Sequence, residues 1–158
     1  MSGMTARGPG AVAAALESDR HYGIIMDGIH VHKSMVRMAY KHNPNVVLIT
    51  DAMPPVGTDA NKFSWFGETI YRESDRLVDS EGRLAGAYLT QNQALANAML
   101  QLRISLDDAL PMATSAPAQL LGLASSHARV EPGCVADLML IDETTEVHRV
   151  WRGGHLLV

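Results

Sequence analysis

Asn45-Val46-Val47-Leu48-Ile49-Thr50-Asp51-Ala52-Met53-Pro54-Pro55 decides how this chain is read. Val46 to Ile49 is an unbroken apolar run rich in β-branched residues. A run this short, stopped by a carboxylate and a Pro-Pro pair, predicts a strand buried on both faces. Asp51 stands where that strand ends. In parallel α/β barrels the side chains at the carboxyl ends of strands carry the chemistry. A carboxylate placed there can take a proton from an attacking water and return it to a leaving group. An Asp in this place also suits a solvated loop or a helix N-cap, and these residues alone leave both readings open.

On the amino side, Tyr22-Gly23-Ile24-Ile25-Met26 is a second short apolar run, closed by Asp27-Gly28. Ser34 is the expected N-cap of a helix that carries Met35, Met38 and Ala39 as far as His42, and Asn43-Pro44 stops it. Strand, loop, helix, strand makes a βαβ unit with parallel strands. His30 follows the first strand, so it belongs on the same rim as Asp51 and reads as a polar substrate contact. His30 and His32 have a spacing that on a strand would point both rings to one face as metal ligands. The pair lies beyond Asp27-Gly28, past the strand, and His32 therefore reads as exposed or as standing behind the residues that touch a substrate. Further upstream, Met1 to Gly10 is loop-like, and Ala11 to Ser18 suits a short helix. Arg7, alone in that loop, is either a solvated charge or a holder of an anion, since its fork of donors suits phosphate or carboxylate.

On the carboxyl side, Lys62 to Ile70 alternates loosely, with Phe63, Trp65, Gly67 and Thr69 on one side. With Arg76 to Val78 and a turn at Asp79 to Gly82, it predicts antiparallel β structure inserted over about residues 60–83. Leu84-Ala85-Gly86-Ala87 reads as a small-residue loop where backbone can approach a ligand closely. Thr90 and Gln93 form a capping box for a helix with Leu95, Met99 and Leu102 on one face. Ser105 and Asp108 open a second helix that Pro111 should kink or shorten, and Ser115 to Leu121 is a third, closed by Gly122. Val135 to Ile141 and Glu146 to Trp151 predict strands, with a tight turn at Arg152 to His155.

Composition bounds the function. The 158 residues are 47% hydrophobic and 19% charged, which fits a packed globular chain. A net charge of -4 without any strongly basic stretch argues against a nucleic-acid surface. Cys134 is the only cysteine, so no internal disulfide can form, as suits a reducing compartment. Neither a signal peptide nor a membrane span is recognisable, and a cytoplasmic place with no membrane partner is expected. His21, His42, His127, His148 and His155 show no convergent spacing, and only His30 and His32 could join Asp51, in a weak set.

The blocks GIIMDGIHVH, VVLITDAMPPVG, GRLAGAYLT, ATSAPAQLLGL and VEPGCVADLMLID, in this order, resemble the carboxyl-terminal part of the N-acetylglucosamine-6-phosphate deacetylases, within the amidohydrolase superfamily. The resemblance implies an α/β fold, the terminal portion of a metal-dependent (β/α)8 barrel with part of a small β-sandwich. Residues 1–126 would be the last βα units and 127–158 the sandwich part. It implies deacetylation of a phosphorylated amino sugar, with Asp51 as the general acid/base that activates a metal-bound water. His30 would contact substrate, Leu84, Ala85 and Gly86 would line the sugar pocket, and Arg7 would help hold the phosphate across a dimer interface. The cofactor would be a divalent metal, zinc or iron. Its family ligands, a Glu and two His on earlier strands, are not in this chain, so the chain alone is expected to be inactive. Met1 corresponds to the last residue of a family block H-x-x-N-A-M. Gly8 stands where the family often has an acidic residue, and Gln119 where it often has Arg. Without the earlier strands, Val46 to Ile49 is left with an open edge and an apolar face. Two alternatives stay open: another amidohydrolase, such as a deaminase or cyclic amidase, or a non-catalytic assembly module.

Overall fold

The computed structural model describes residues 4–158; Met1 lies outside them. After helix α1 (Gly10–Leu16) comes strand β1 (Tyr22–Ile25), then helix α2 (Lys33–His42) and strand β2 (Val46–Ile49). The strands pair in parallel, Tyr22 opposite Val46 and Ile25 opposite Ile49. The βαβ unit is thus present, and among the described residues its parallel sheet stops at two strands.

Its cap differs from expectation. Ser34 lies inside α2, and the N-cap is His32, whose backbone is extended and whose Nδ1 accepts the Ser34 N–H at 3.3 Å. At the other end Asn43, 3% exposed, binds the chain together. Its side-chain amide donates to the carbonyls of Ser18 and Arg20 at 2.7 and 3.0 Å, and its Oδ1 accepts the Asn45 N–H at 3.0 Å. One short polar side chain therefore satisfies the backbone groups of the α1–β1 connection at the base of β2.

Two helices cover one face of the parallel pair: α3 (Gln91–Leu102) and α4 (Leu106–Ala113). Ile24, Met26, Val46 and Leu48 are buried with Val36 of α2 and with Leu95 and Met112 of these helices. Each such side chain removed from water stabilises by about 1.5–3 kcal/mol. The capping box of α3 is formed, Thr90 and Gln93 satisfying each other's backbone N–H. Pro111 lies inside α4, which ends three residues later where Thr114 leaves helical backbone, and a short helix α5 (Ser115–Leu120) follows.

The inserted β structure is a four-stranded antiparallel sheet, β3 (Lys62–Trp65), β4 (Glu68–Glu73), β5 (Arg76–Val78) and β6 (Leu84–Ala87), paired in chain order. The alternation over Lys62 to Ile70 is broken by a turn at Phe66 and Gly67, both with positive φ, so that stretch is a hairpin rather than one strand. Leu84 to Ala87, expected as a loop, is strand β6, held by pairing to β5. Its small residues serve a close approach within the chain itself. Gly86 has φ +74, and a Cβ there would lie 2.4 Å from Met53 Cγ and 3.3 Å from the Asp51 carbonyl oxygen. Beyond Gly86, Ala87 bridges Ala52 in parallel, its N–H donating to Asp51 O at 2.9 Å and its carbonyl accepting the Met53 N–H at 3.2 Å.

The last sheet is β7 (Leu138–Ile141), β8 (Val147–Arg152) and β9 (His155–Leu156). Val135 to Asp137, expected within β7, stay outside it. Asp137 Oδ1 accepts the Gly153 N–H at 2.7 Å and Ala136 O accepts the Gly154 N–H at 2.9 Å, so these groups serve the β8–β9 turn instead of a ladder.

Candidate functional site

Because β1 and β2 run parallel in register, the chain leaves both strands at the same end. Asp27 and Asp51 each follow the last paired residues, Ile25 and Ile49. Adjacent strands lie about 4.8 Å apart, so the segments carrying His30 and Asp51 share one rim. The Ala52–Ala87 bridge adds the end of β6 to that rim.

Asp51 has φ 52, a left-handed backbone that Asp tolerates better than most residues. Its carbonyl is occupied by Ala87 N–H, while its carboxylate is exposed and makes no hydrogen bond to another described residue. Both carboxylate oxygens are therefore open to water or to a ligand.

His30 is held differently. Its ring Nδ1 lies 2.6 Å from Asp27 Oδ2, and the Asp27 side chain is only 6% exposed. The other oxygen, Asp27 Oδ1, accepts the N–H groups of Ile29 and His30 at 2.9 and 3.0 Å. Gly28, with φ 75, lets the loop fold back over this carboxylate. Asp27 is the residue that sequence reasoning missed, having been taken only as the stop after β1. The signal was there: an Asp followed by Gly can bond the backbone two and three residues on, and a His three residues on then falls within reach.

His32 is exposed and occupied as the α2 cap. Arg7 is exposed in a small turn closed by the Gly8 N–H on Thr5 Oγ1 at 3.0 Å. No contact among the described residues joins Arg7 to His30 or Asp51. Leu84, Ala85 and Gly86 stand on β6, tied to Asp51 through Ala87 as above.

Among the described residues, no three His, Cys, Asp or Glu side chains converge into a group that could hold a metal ion. Nδ1 of His30 is already spent on Asp27. A metal centre thus does not fit the side chains present here unaided. Perturbed acids lie elsewhere: Arg83 beside Asp79 holds its carboxyl below the usual range, and the Thr144 hydroxyl and His148 do the same for Asp142. At the base of the strands, burial and then Tyr40 push the Tyr22 phenol up to about 12, its hydroxyl donating to Asn43 O at 2.9 Å.

The N-acetylgalactosamine-6-phosphate deacetylase of Shewanella sp. is 38% identical over 99% of this chain, which covers 40% of that protein. The putative N-acetylgalactosamine-6-phosphate deacetylase of Escherichia coli K12 is 30% identical over 99% of this chain and 95% of its own length. The crystal structure of N-acetylglucosamine-6-phosphate deacetylase from Pasteurella multocida superposes with a TM-score of 0.92 at 31% identity, over 97% of this chain and 41% of that one. The chain therefore spans about two-fifths of the Shewanella and Pasteurella proteins. No helix among the described residues is long and apolar enough to cross a membrane. The amidohydrolase family profile matches residues 12–157, and the chain belongs to that family.

Proposed function

We propose that residues 1–158 form the proton-transfer and substrate-gripping part of an N-acetylhexosamine-6-phosphate deacetylase. The observation that carries this reading is the parallel register of β1 and β2, with the Ala52–Ala87 bridge, which puts His30, Asp51 and β6 on one rim. The names of the relatives support the substrate class and leave both sugar epimers in play.

In this reading residues 1–126 are the last βα units of a barrel and 127–158 are part of a small sandwich. Water adds to the acetamide carbonyl while the open carboxylate of Asp51 takes its proton. Asp51 then hands that proton to the departing amine, and acetate and the amino sugar phosphate leave. His30 contacts the sugar, and Leu84, Ala85 and Gly86 border it. Arg7 reaches the phosphate of a neighbouring subunit's substrate in a homodimer, which explains an exposed guanidinium with no contact to its own rim. The divalent ion that such a hydrolase uses, zinc or iron, would be held by side chains that these residues do not supply. A cytoplasmic setting suits a phosphorylated sugar.

The test is a chimera in which residues 1–158 replace the aligned part of the Shewanella deacetylase. Acetate release from both N-acetylhexosamine 6-phosphates is measured. We expect turnover, a loss of about 10²–10⁴-fold in Asp51→Asn, and a rise in KM for the phosphorylated sugar alone in Arg7→Ala. Asp51→Asn turnover within about threefold of the parent would remove Asp51 from its role. Equal effects of Arg7→Ala on phosphorylated and free sugars would remove Arg7 from the phosphate. A correctly folded chimera without acetate release would favour a different amidohydrolase reaction.

A further inference from the structure

Thr145 stands where its backbone does not favour it. It is a β-branched residue with φ 68, a left-handed conformation that suits Gly or Asn, and it is only 3% exposed. It lies in the turn between β7 and β8. Asp142 builds that turn, its Oδ1 accepting the N–H groups of Thr144 and Glu146 at 2.8 and 3.0 Å and its carbonyl accepting the Thr145 N–H at 3.0 Å. The other polar groups of Thr145 go to Asn92 of α3. The Thr145 hydroxyl donates to Asn92 O at 3.0 Å, and the Thr145 carbonyl accepts Asn92 Nδ2–H at 3.2 Å. Asn92 Oδ1 in turn accepts the hydroxyl of Thr90, the α3 N-cap, at 2.6 Å. Glycine would suit the backbone at this position but would leave out the hydroxyl.

The start of α3 is also where the end of β2 is held. Gln91 Nε2 donates to Leu48 O of β2 at 3.3 Å. Just ahead of the helix, the Ala87 N–H donates to Asp51 O at 2.9 Å and the Ala87 carbonyl accepts the Met53 N–H at 3.2 Å. The Asp51 carboxylate makes no hydrogen bond to another described residue, so its place is set through its backbone. We infer that Thr145, acting through Asn92, is a positioning residue for Asp51: the β7–β8 turn clasps the first turn of α3, and that turn fixes the strand end from which Asp51 projects. The inference rests on the acid/base reading of Asp51 given above. A general base must stay within hydrogen-bond reach of the water it deprotonates, and a displacement of about 1 Å can cost about 10²-fold in rate. The clasp therefore acts on kcat and leaves the grip on the sugar phosphate alone.

The clasp is tested first on the 158-residue chain, without any reaction. Native-state amide exchange is followed by NMR in the parent, Asn92→Ala, Thr145→Gly and Thr145→Ser. The Ala87 and Met53 N–H groups should exchange roughly tenfold faster in Asn92→Ala and Thr145→Gly. Thr145→Ser, which keeps the hydroxyl, should match the parent. The Ile24 N–H should change far less in every variant. Unchanged Ala87 and Met53, no rescue by serine, or equal acceleration at Ile24 would overturn the inference, the last because the loss would then be one of global stability.

The second measurement uses the chimera with the Shewanella deacetylase. Asn92→Ala and Thr145→Gly should lower kcat roughly tenfold with KM held within about twofold, and Thr145→Ser should keep kcat within about twofold of the parent. A rise in KM at constant kcat would overturn the positioning role. So would an unchanged kcat in Asn92→Ala and Thr145→Gly while Asp51→Asn still loses turnover. If Asp51→Asn itself keeps its turnover, the acid/base reading of Asp51 fails and the inference falls with it. Thr145→Gly also separates position from stability, since glycine accepts the left-handed backbone and removes the hydroxyl. A Thr145→Gly chimera as stable as its parent in urea and yet slower is the expected result, and one that a merely structural residue does not give.

Discussion

Gly86 shows how much one missing methyl group decides. Its backbone is left-handed, and the space where a Cβ would sit is filled by Met53, with the Asp51 carbonyl just behind it. Gly86→Ala therefore meets two penalties at once, a strained φ of about 1–2 kcal/mol and an overlap with Met53 of similar size. A loss of about 2–4 kcal/mol in urea denaturation is expected. The same substitution in a Met53→Ala background should cost only the left-handed penalty of about 1–2 kcal/mol. An unchanged midpoint in Gly86→Ala would mean that β6 is not packed on the Asp51 segment as described. None of this could be read from LAGA as letters. Small residues have weak strand propensity, and the strand exists because β5 and the Ala52 bridge pair with it.

At the scale of elements, the hairpin β5–β6 depends on its turn. Asp79 accepts the N–H groups of Glu81 and Arg83 on Oδ1 and the Arg83 guanidinium on Oδ2 at 2.6 Å. The Arg83 side chain, followed by its backbone N–H, lowers the folded-state value of Asp79 below its ordinary 3.8. A lowered acid stabilises the fold at pH values above its unfolded value, and that contribution is lost as pH falls through the folded value. Asp79→Asn should therefore be less stable than the parent at neutral pH, and the gap should close below about pH 4. A gap that persists into strong acid would place the effect in turn geometry and not in the charge. The βαβ unit was legible beforehand because the apolar run Val46 to Ile49 predicts a strand and Asn43-Pro44 a helix end, although Ile49 at the end of that strand is exposed and not buried on both faces. The α2 cap was not, because His32 wins that place through a loop geometry set by Gly28 and Asp27. The same holds for the Asp27–His30 pair, where a carboxylate that looked like punctuation turned out to hold the ring beside it. Asp51 was legible as a strand-end carboxylate, whereas its left-handed backbone depends on a bridge to a residue far along the chain.

At the scale of the molecule, the two-stranded parallel sheet is the limiting fact. Ile49 is 43% exposed at the end of β2, and Leu84 is equally exposed on β6, so the rim borders uncovered apolar surface. In the deacetylase reading proposed above, amide hydrolysis uses a held metal ion, and three convergent ligands are not found among the described residues. The 158-residue chain on its own is expected to release no acetate and to retain no stoichiometric zinc after dialysis. One tightly held ion per chain together with turnover would mean that His30, His32 and Asp51 assemble a site after all.

Among the described residues the three sheets are each drawn from consecutive strands, and none borrows a full strand from another. A molecule wired in this way can open in parts, so its amide hydrogens should exchange in tiers rather than all at once. The slowest should be Ile24 and Val46 to Leu48, beneath the helices. The fastest of the sheets should be β7 to β9, where Met139 and Leu140 are about half exposed. Exchange followed by mass spectrometry in rising urea would then show the last sheet releasing its protons at concentrations that leave the parallel pair untouched. A single common midpoint for every strand would mean that the chain opens only as a whole.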